Sequence, residues 1–140
     1  VSDLLQLYSL CVLALFLKML AISCYQGYFR LRYRAFANLE DAAFFGRAVH
    51  AQDMPQVQRA AKAWTNDLEN IPLFFMLGAL AVVLQAPIET TSAVFVTFTG
   101  ARIAHTLMYL GGWQPWRTLA YFVALASLLV LAALIGIALL

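Results

Sequence analysis

Apolar positions along the chain gather into four long runs separated by short polar breaks. The first runs from Leu4 to Tyr25 and continues as a water-exposed helix through Arg34. The second is centred on Ile71 to Leu84 and reaches spanning length only if Trp64 to Asn70 is included. The third, Ser92 to Gly111, carries Arg102 and His105, and the fourth, Leu119 to Leu140, has no charge at all. A helix needs about 20 mostly apolar residues to cross the hydrocarbon layer. Nothing here alternates with the period of two that a membrane strand requires, so helices are the predicted spanning form. The pattern predicts one all-α domain over residues 1–140, an integral membrane four-helix bundle with spans at about 4–34, 56–85, 88–111 and 116–140.

The breaks fit this division. Residues 35–55 form a polar stretch long enough to fold over a helix end. Gln85-Ala86-Pro87 is a tight break, and Gly111-Gly112-Trp113-Gln114-Pro115 is another, with Gly as a helix stop and Pro beyond it. Trp113 and Trp116 suit the membrane–water boundary.

Composition narrows the class further. Apolar residues make up 64% of the chain and charged residues 11%, whereas a soluble domain carries about a quarter charged residues. Disorder and a soluble single-core enzyme are excluded. The net charge of +2 is too small for nucleic-acid binding by bulk charge. Cys11 and Cys24 share the first run, roughly 20 Å apart along one helix, which forbids a disulfide between them. The first run is also longer than a signal-peptide core and is followed by arginines, so no removable signal is expected.

Charge also predicts orientation. Arg30, Arg32, Arg34, Arg47, Arg59 and Lys62 lie between the first two spans, and Arg117 lies between the last two. The opposite side offers only Asp3 and Glu89. The positive-inside rule then puts both termini outside and both basic connections in the cytoplasm.

Ionisable groups within spans are costly and tend to mark a site. Lys62, Asn66 and Glu69 recur at helical spacing, with Thr65 and Asp67 beside them. Arg102, His105 and Tyr109 form a second stripe, and Arg117, Thr118 and Tyr121 a third at the start of the last span. All fall in the cytoplasmic halves, where bundling would bring them to one depth. Such a pocket suits a small zwitterionic peptide: arginine forks take carboxylates and Glu69 takes an ammonium. A guanidinium and a hydroxyl at a helix N-terminus are suited to holding a thiolate. The competing structural reading makes Asp67 or Glu69 an interhelical ion-pair partner of Arg102, His105 a packing residue, and the tyrosines ordinary interface aromatics. His50 and His105 have no cysteine near them, so no metal site is expected. Lys18 has no partner visible in the sequence.

Three stretches carry a family resemblance: Arg30-Leu-Arg-Tyr-Arg-Ala-Phe-Ala-Asn-Leu-Glu-Asp41, Asn66-Asp-Leu-Glu69 and Gly100-Ala-Arg-Ile-Ala-His-Thr-Leu-Met-Tyr-Leu-Gly111. In this order they resemble the MAPEG family, the membrane-associated proteins of eicosanoid and glutathione metabolism, and most closely its prostaglandin synthase and glutathione transferase branches. The resemblance implies a homotrimer holding glutathione between neighbouring subunits. It assigns Arg30, Asn66, Glu69, His105, Tyr109, Arg117 and Tyr121 to glutathione, with Lys62 joining them from the same stripe. Arg117 is implied to lie close to the thiol, Thr118 to supply a hydroxyl there, and Asp41 to orient the catalytic arginine. Arg102 is implied to be a buried partner of a second-span carboxylate. The chain departs from the prostaglandin synthase pattern at Lys62 and Thr65, where arginines stand, and at Thr118, where serine stands. It also has one residue fewer between Gly111 and Arg117.

The expected function is a glutathione-dependent membrane enzyme whose thiolate attacks a lipophilic electrophile or peroxide arriving from the bilayer. Transferase, peroxidase and isomerase chemistry share that first step. The alternative from the same resemblance is a non-catalytic scaffold binding lipid or glutathione. A small four-helix drug exporter would need a carboxylate within the first span, and Leu4 to Tyr25 has none. A bacterial inner membrane and an endoplasmic reticulum fit the orientation equally.

Overall fold

The computed structural model describes residues 2–140 and contains five helices among them. They are α1 (Asp3–Tyr33), α2 (Leu39–Phe44), α3 (Pro55–Val83), α4 (Ile88–Gly111) and α5 (Trp116–Ala138). All but α2 are long and apolar enough to cross a membrane. The described residues contain no strand.

Local chemistry explains the ends. The Ser2 hydroxyl accepts from the Leu5 N–H at 3.3 Å, capping α1. Pro55 opens α3 in the first-turn position where its missing N–H costs nothing. Gly112 closes α4 at φ 70°, a left-handed conformation that favours glycine. The one element outside the hydropathy reading is α2. Asn38 caps it by accepting from Glu40 N–H at 2.9 Å, and Glu40 and Asp41 sit in its first turn, complementing the helix dipole.

The chain winds up and down, so α1 and α4 finish at the end where α3 and α5 begin. Helix α1 packs on α3 and α4, and α5 packs on α3 and α4; α1 and α5 do not touch. Apolar side chains on the outer face of α1, including Leu10, Leu13, Phe16, Leu17 and Leu20, are exposed on the single chain. A continuous apolar face of this kind belongs against lipid or protein.

The inner core is aromatic. Phe74 of α3 stacks on Phe98 of α4 at 4.5 Å, and Phe95 meets Phe74 edge-on at 5.5 Å. Tyr8 of α1 joins them and donates its hydroxyl to the Phe75 carbonyl at 2.7 Å. That approach depends on Gly78, where an added Cβ would lie 2.5 Å from the Tyr8 ring. Gly78→Leu is therefore expected to lower the thermal midpoint of the purified protein, at an overpacking cost of about 1–3 kcal/mol. A midpoint equal to wild type would show that α1 does not pack as closely as described.

Below the aromatic layer, a buried charged cluster ties three helices together. One oxygen of Asp67 (α3) accepts from Lys18 Nζ (α1) at 2.6 Å. The other accepts from the Arg102 guanidinium (α4), whose Nε lies at 3.2 Å and whose Nη2 makes a closer contact. Lys18 also donates to Thr106 Oγ1 at 2.9 Å and to the Arg102 carbonyl at 3.3 Å. Asp67 and Arg102 are fully buried. Of the two carboxylates weighed as partners of Arg102, Asp67 makes the contact, and it is also the partner of Lys18.

Candidate functional site

At the end where α3 and α5 begin, Asn66, His105, Tyr109, Arg117, Thr118, Tyr121 and Phe122 line one cavity of about 320 Å³. Helical spacing accounts for the grouping. His105 and Tyr109 are one turn apart on α4, and Arg117, Thr118 and Tyr121 lie on the first turns of α5, which packs along α4.

The groups are held from behind. Arg102 Nη2 donates to Asn66 Oδ1 at 2.8 Å. A guanidinium only donates, so the Asn66 amide oxygen is committed and its NH2 group is left to serve the cavity. The buried cluster thus orients a residue of the site. His105 is buried, its ring between Tyr109 at 5.6 Å and Tyr121 at 6.4 Å. Its Nδ1 has no protein hydrogen-bond partner among the described residues. A buried polar atom in that state is expected to meet a ligand or water, because leaving it unpaired costs about 1–3 kcal/mol.

Arg117 sits with its guanidinium carbon 4.4 Å above the Tyr109 ring centroid, a cation–π arrangement that fixes its position. It stands in the first turn of α5, which no side chain caps. A cation there opposes the helix dipole, and an anion placed beside it resolves the conflict. Thr118 brings a hydroxyl to the same point. These residues can neutralise one anionic atom, donate hydrogen bonds to it, and flank it with aromatic rings.

A second cavity, of about 400 Å³, lies at the same end and is lined by Arg30, Phe36, Ala37, Asn38, Asp41 and Asp53. Arg30 grips Asp53 in a two-pronged pair, Nε to Oδ1 at 3.1 Å and Nη2 to Oδ2 at 2.8 Å. The Gln58 amide donates to the Asp53 carbonyl at 2.6 Å, which ties this loop to the first turn of α3. Within the chain, then, Arg30 and Asp41 lie in a different cavity from Arg117. Lys62 and Glu69 are exposed and line neither cavity, although they share a stripe with Asn66. Only the Asn66 edge of that stripe turns into the protomer. Asp53 was not among the residues singled out from the sequence; its place just before Pro55 at the start of α3 is the signal that carried it. Among the described residues no group of three or more His, Cys, Asp or Glu side chains is placed to hold a metal ion.

Comparison with known proteins agrees with this architecture. The MAPEG family model matches residues 8–137. Prostaglandin E synthase of Equus caballus is 38% identical over 118 residues, covering 84% of this chain and 77% of the relative. The human prostaglandin E synthase is 36% identical over 124 residues, 88% of this chain and 82% of its own length. Microsomal glutathione S-transferase 1 of Rattus norvegicus is 40% identical over 111 residues, 76% of this chain and 72% of the relative. With four apolar helices in the bundle and a family match spanning nearly all of them, the chain belongs to the MAPEG family.

Proposed function

We propose that this protein is a glutathione-dependent membrane enzyme that binds the tripeptide at the α3–α5 end and lowers the proton affinity of its thiol. The observation that carries this reading is the convergence of Arg117, Thr118, His105, Tyr109, Tyr121 and Asn66 on one cavity, with a cation at an uncapped helix start. A relative named microsomal glutathione S-transferase 1 supports the same substrate class.

The residues divide the work by charge. Arg117 holds the developing sulfur anion and Thr118 donates its hydroxyl to it, which shifts the thiol toward thiolate near neutral pH. The Asn66 NH2 group and the His105 ring bind the peptide backbone. The sulfur then attacks a lipophilic partner entering from the bilayer: at an electrophilic carbon it displaces the leaving group, and at a peroxide oxygen it breaks the O–O bond and releases an alkoxide that takes up a proton. A second glutathione displacing the oxygen from the oxidised sulfur as water or alcohol completes a peroxidase cycle, and re-formation of a carbonyl with expulsion of the thiolate completes an isomerisation.

Exposure on the single chain supports self-association, and the family resemblance makes a homotrimer the working form. Glu69 and Lys62 face away from their own bundle, and a charge at this depth calls for protein rather than lipid beside it. Arg30 on α1 and Arg117 on α5 belong to helices that do not touch within a protomer. Placing one subunit's α1 beside its neighbour's α5 would join the two cavities, so that Arg30, Lys62 and Glu69 meet the tripeptide's carboxylates and ammonium, with Asp41 set to orient Arg117. The basic end, with seven Lys and Arg on its connections and on the helix turns beside them, is assigned to the cytoplasm of a bacterial inner membrane or an endoplasmic reticulum.

Purified protein is expected to turn over glutathione with at least one of three partners: an activated aryl chloride, a lipophilic hydroperoxide or an endoperoxide. Glu69→Gln is expected to raise KM for glutathione about tenfold with kcat nearly unchanged, because it removes a charge-assisted contact made equally in ground and transition states. Absence of turnover with all three partners, together with no saturable glutathione binding, would remove the reading.

A further inference from the structure

The turn between α4 and α5 contributes a side chain that neither the motifs nor the cavity lining includes. Gln114 lies two residues before the start of α5, with Arg117 and Thr118 three and four residues beyond it. One end of its amide lies 3.0 Å from Thr118 Oγ1, and the other lies 3.1 Å from Arg117 Nε, with Nη2 also in contact. Arginine has no acceptor, so the amide oxygen must face the guanidinium and the NH2 group must face the hydroxyl. We propose that Gln114 is a positioning residue for the thiol-activating pair, holding the Arg117 fork from one side and directing the Thr118 hydroxyl proton into the cavity.

The chemistry follows from the direction of each hydrogen bond. By donating to Thr118 Oγ1, Gln114 occupies a lone pair and leaves the hydroxyl hydrogen free to point at the sulfur. By accepting from Arg117 Nε and Nη2, it leaves Nη1 for the anion, while the Tyr109 ring fixes the guanidinium plane from its face. Without the Gln114 donor, Thr118, the third residue of α5, has nothing to direct its hydroxyl proton, which is free to turn to another acceptor or to water. Its proton would then be lost to the sulfur. The titratable groups facing Arg117 are His105 and Tyr109 on α4 and Tyr121 on α5; α3 faces it with the uncharged Asn66 and brings Arg59 to the adjoining turn at Gly112.

This inference rests on the proposed thiol activation and deepens it. The test measures kcat and KM for glutathione against pH in detergent-solubilised wild type, Gln114→Ala and Gln114→Glu, with bound thiolate read by its ultraviolet absorbance. Gln114→Ala is expected to raise the pH midpoint of kcat by about one unit and lower kcat near neutrality about tenfold. KM should stay within about twofold, since the contact is not made to the peptide. Gln114→Glu keeps an acceptor for Arg117 but turns the Thr118 proton away and adds a negative charge, so the midpoint should rise at least as far. A purely structural role would lower the thermal midpoint without moving the pH profile. Unchanged midpoints in both variants, with wild type forming thiolate normally, would overturn the role of Gln114 alone. A wild type that binds glutathione without forming thiolate, or does not bind it, would overturn the reading beneath it as well.

Discussion

Replacing Asp67 with alanine is expected to cost the bundle about 3–5 kcal/mol, the largest loss of any single polar substitution in the chain. Asp67 is the only carboxylate in contact with Lys18 and Arg102 among the described residues, and each of its oxygens serves a different cation. Removing it leaves two positive charges facing each other in a buried layer, on helices α1 and α4 that it had joined through α3. Lys18→Met should be much milder, because the Asp67–Arg102 pair survives and a methionine follows the same apolar path. The triple variant Lys18→Met, Asp67→Leu, Arg102→Met should recover much of the stability lost by Asp67→Ala, as buried ion clusters replaced by apolar groups often do. It should not recover binding, because Asn66 loses the guanidinium that orients its amide. Thermal midpoints in detergent for the four proteins check this order. Equal midpoints for Asp67→Ala and Lys18→Met would show that the cluster is not the tie between helices described above.

The second large effect belongs to Arg117. Arg117→Ala is expected to lower glutathione-dependent turnover near neutral pH about 100- to 1000-fold, the scale seen when a donor to a developing anion is deleted. The sign of the pH dependence is fixed by the reactive form. Thiolate reacts, and an unassisted cysteine-type thiol has a pKa of about 8.5. Removing the adjacent cation raises the bound thiol toward or above that value, so the lost rate should return progressively as pH rises. Arg117→Lys keeps a charge but not the fork that meets Gln114 and stacks on Tyr109, and it should fall between the two.

How much of this was legible in the sequence depends on range. The four spanning helices follow from hydropathy and the absence of period-two alternation, since only helices and closed barrels satisfy their backbones in lipid. Grouping His105 with Tyr109, and Arg117 with Thr118 and Tyr121, needed only helical spacing, which is local. Partners across helices were harder. Lys18 had no visible partner because Asp67 is brought to it by the packing of α1 on α3, and the choice between Asp67 and Glu69 depended on which side of α3 turns inward. The same rotation splits Lys62 and Glu69 from Asn66 within one protomer. Helix α2 is too short to show periodicity, yet Asn38 followed by Glu40 and Asp41 carries a capping signal that a polar-stretch reading passes over. The Arg30–Asp53 pair closes a loop whose geometry no pattern of spacing specifies. Gln114 looked like turn filler because its role depends on two neighbours whose chemistry is itself the question.

Difference ultraviolet spectroscopy of glutathione added to the purified assembly at neutral pH, with Arg117→Ala as the comparison, bears most directly on the central claim. A thiolate absorbance that saturates with protein and collapses in the Arg117→Ala variant is the predicted result. Glutathione that binds wild type and variant alike while remaining fully protonated would contradict it.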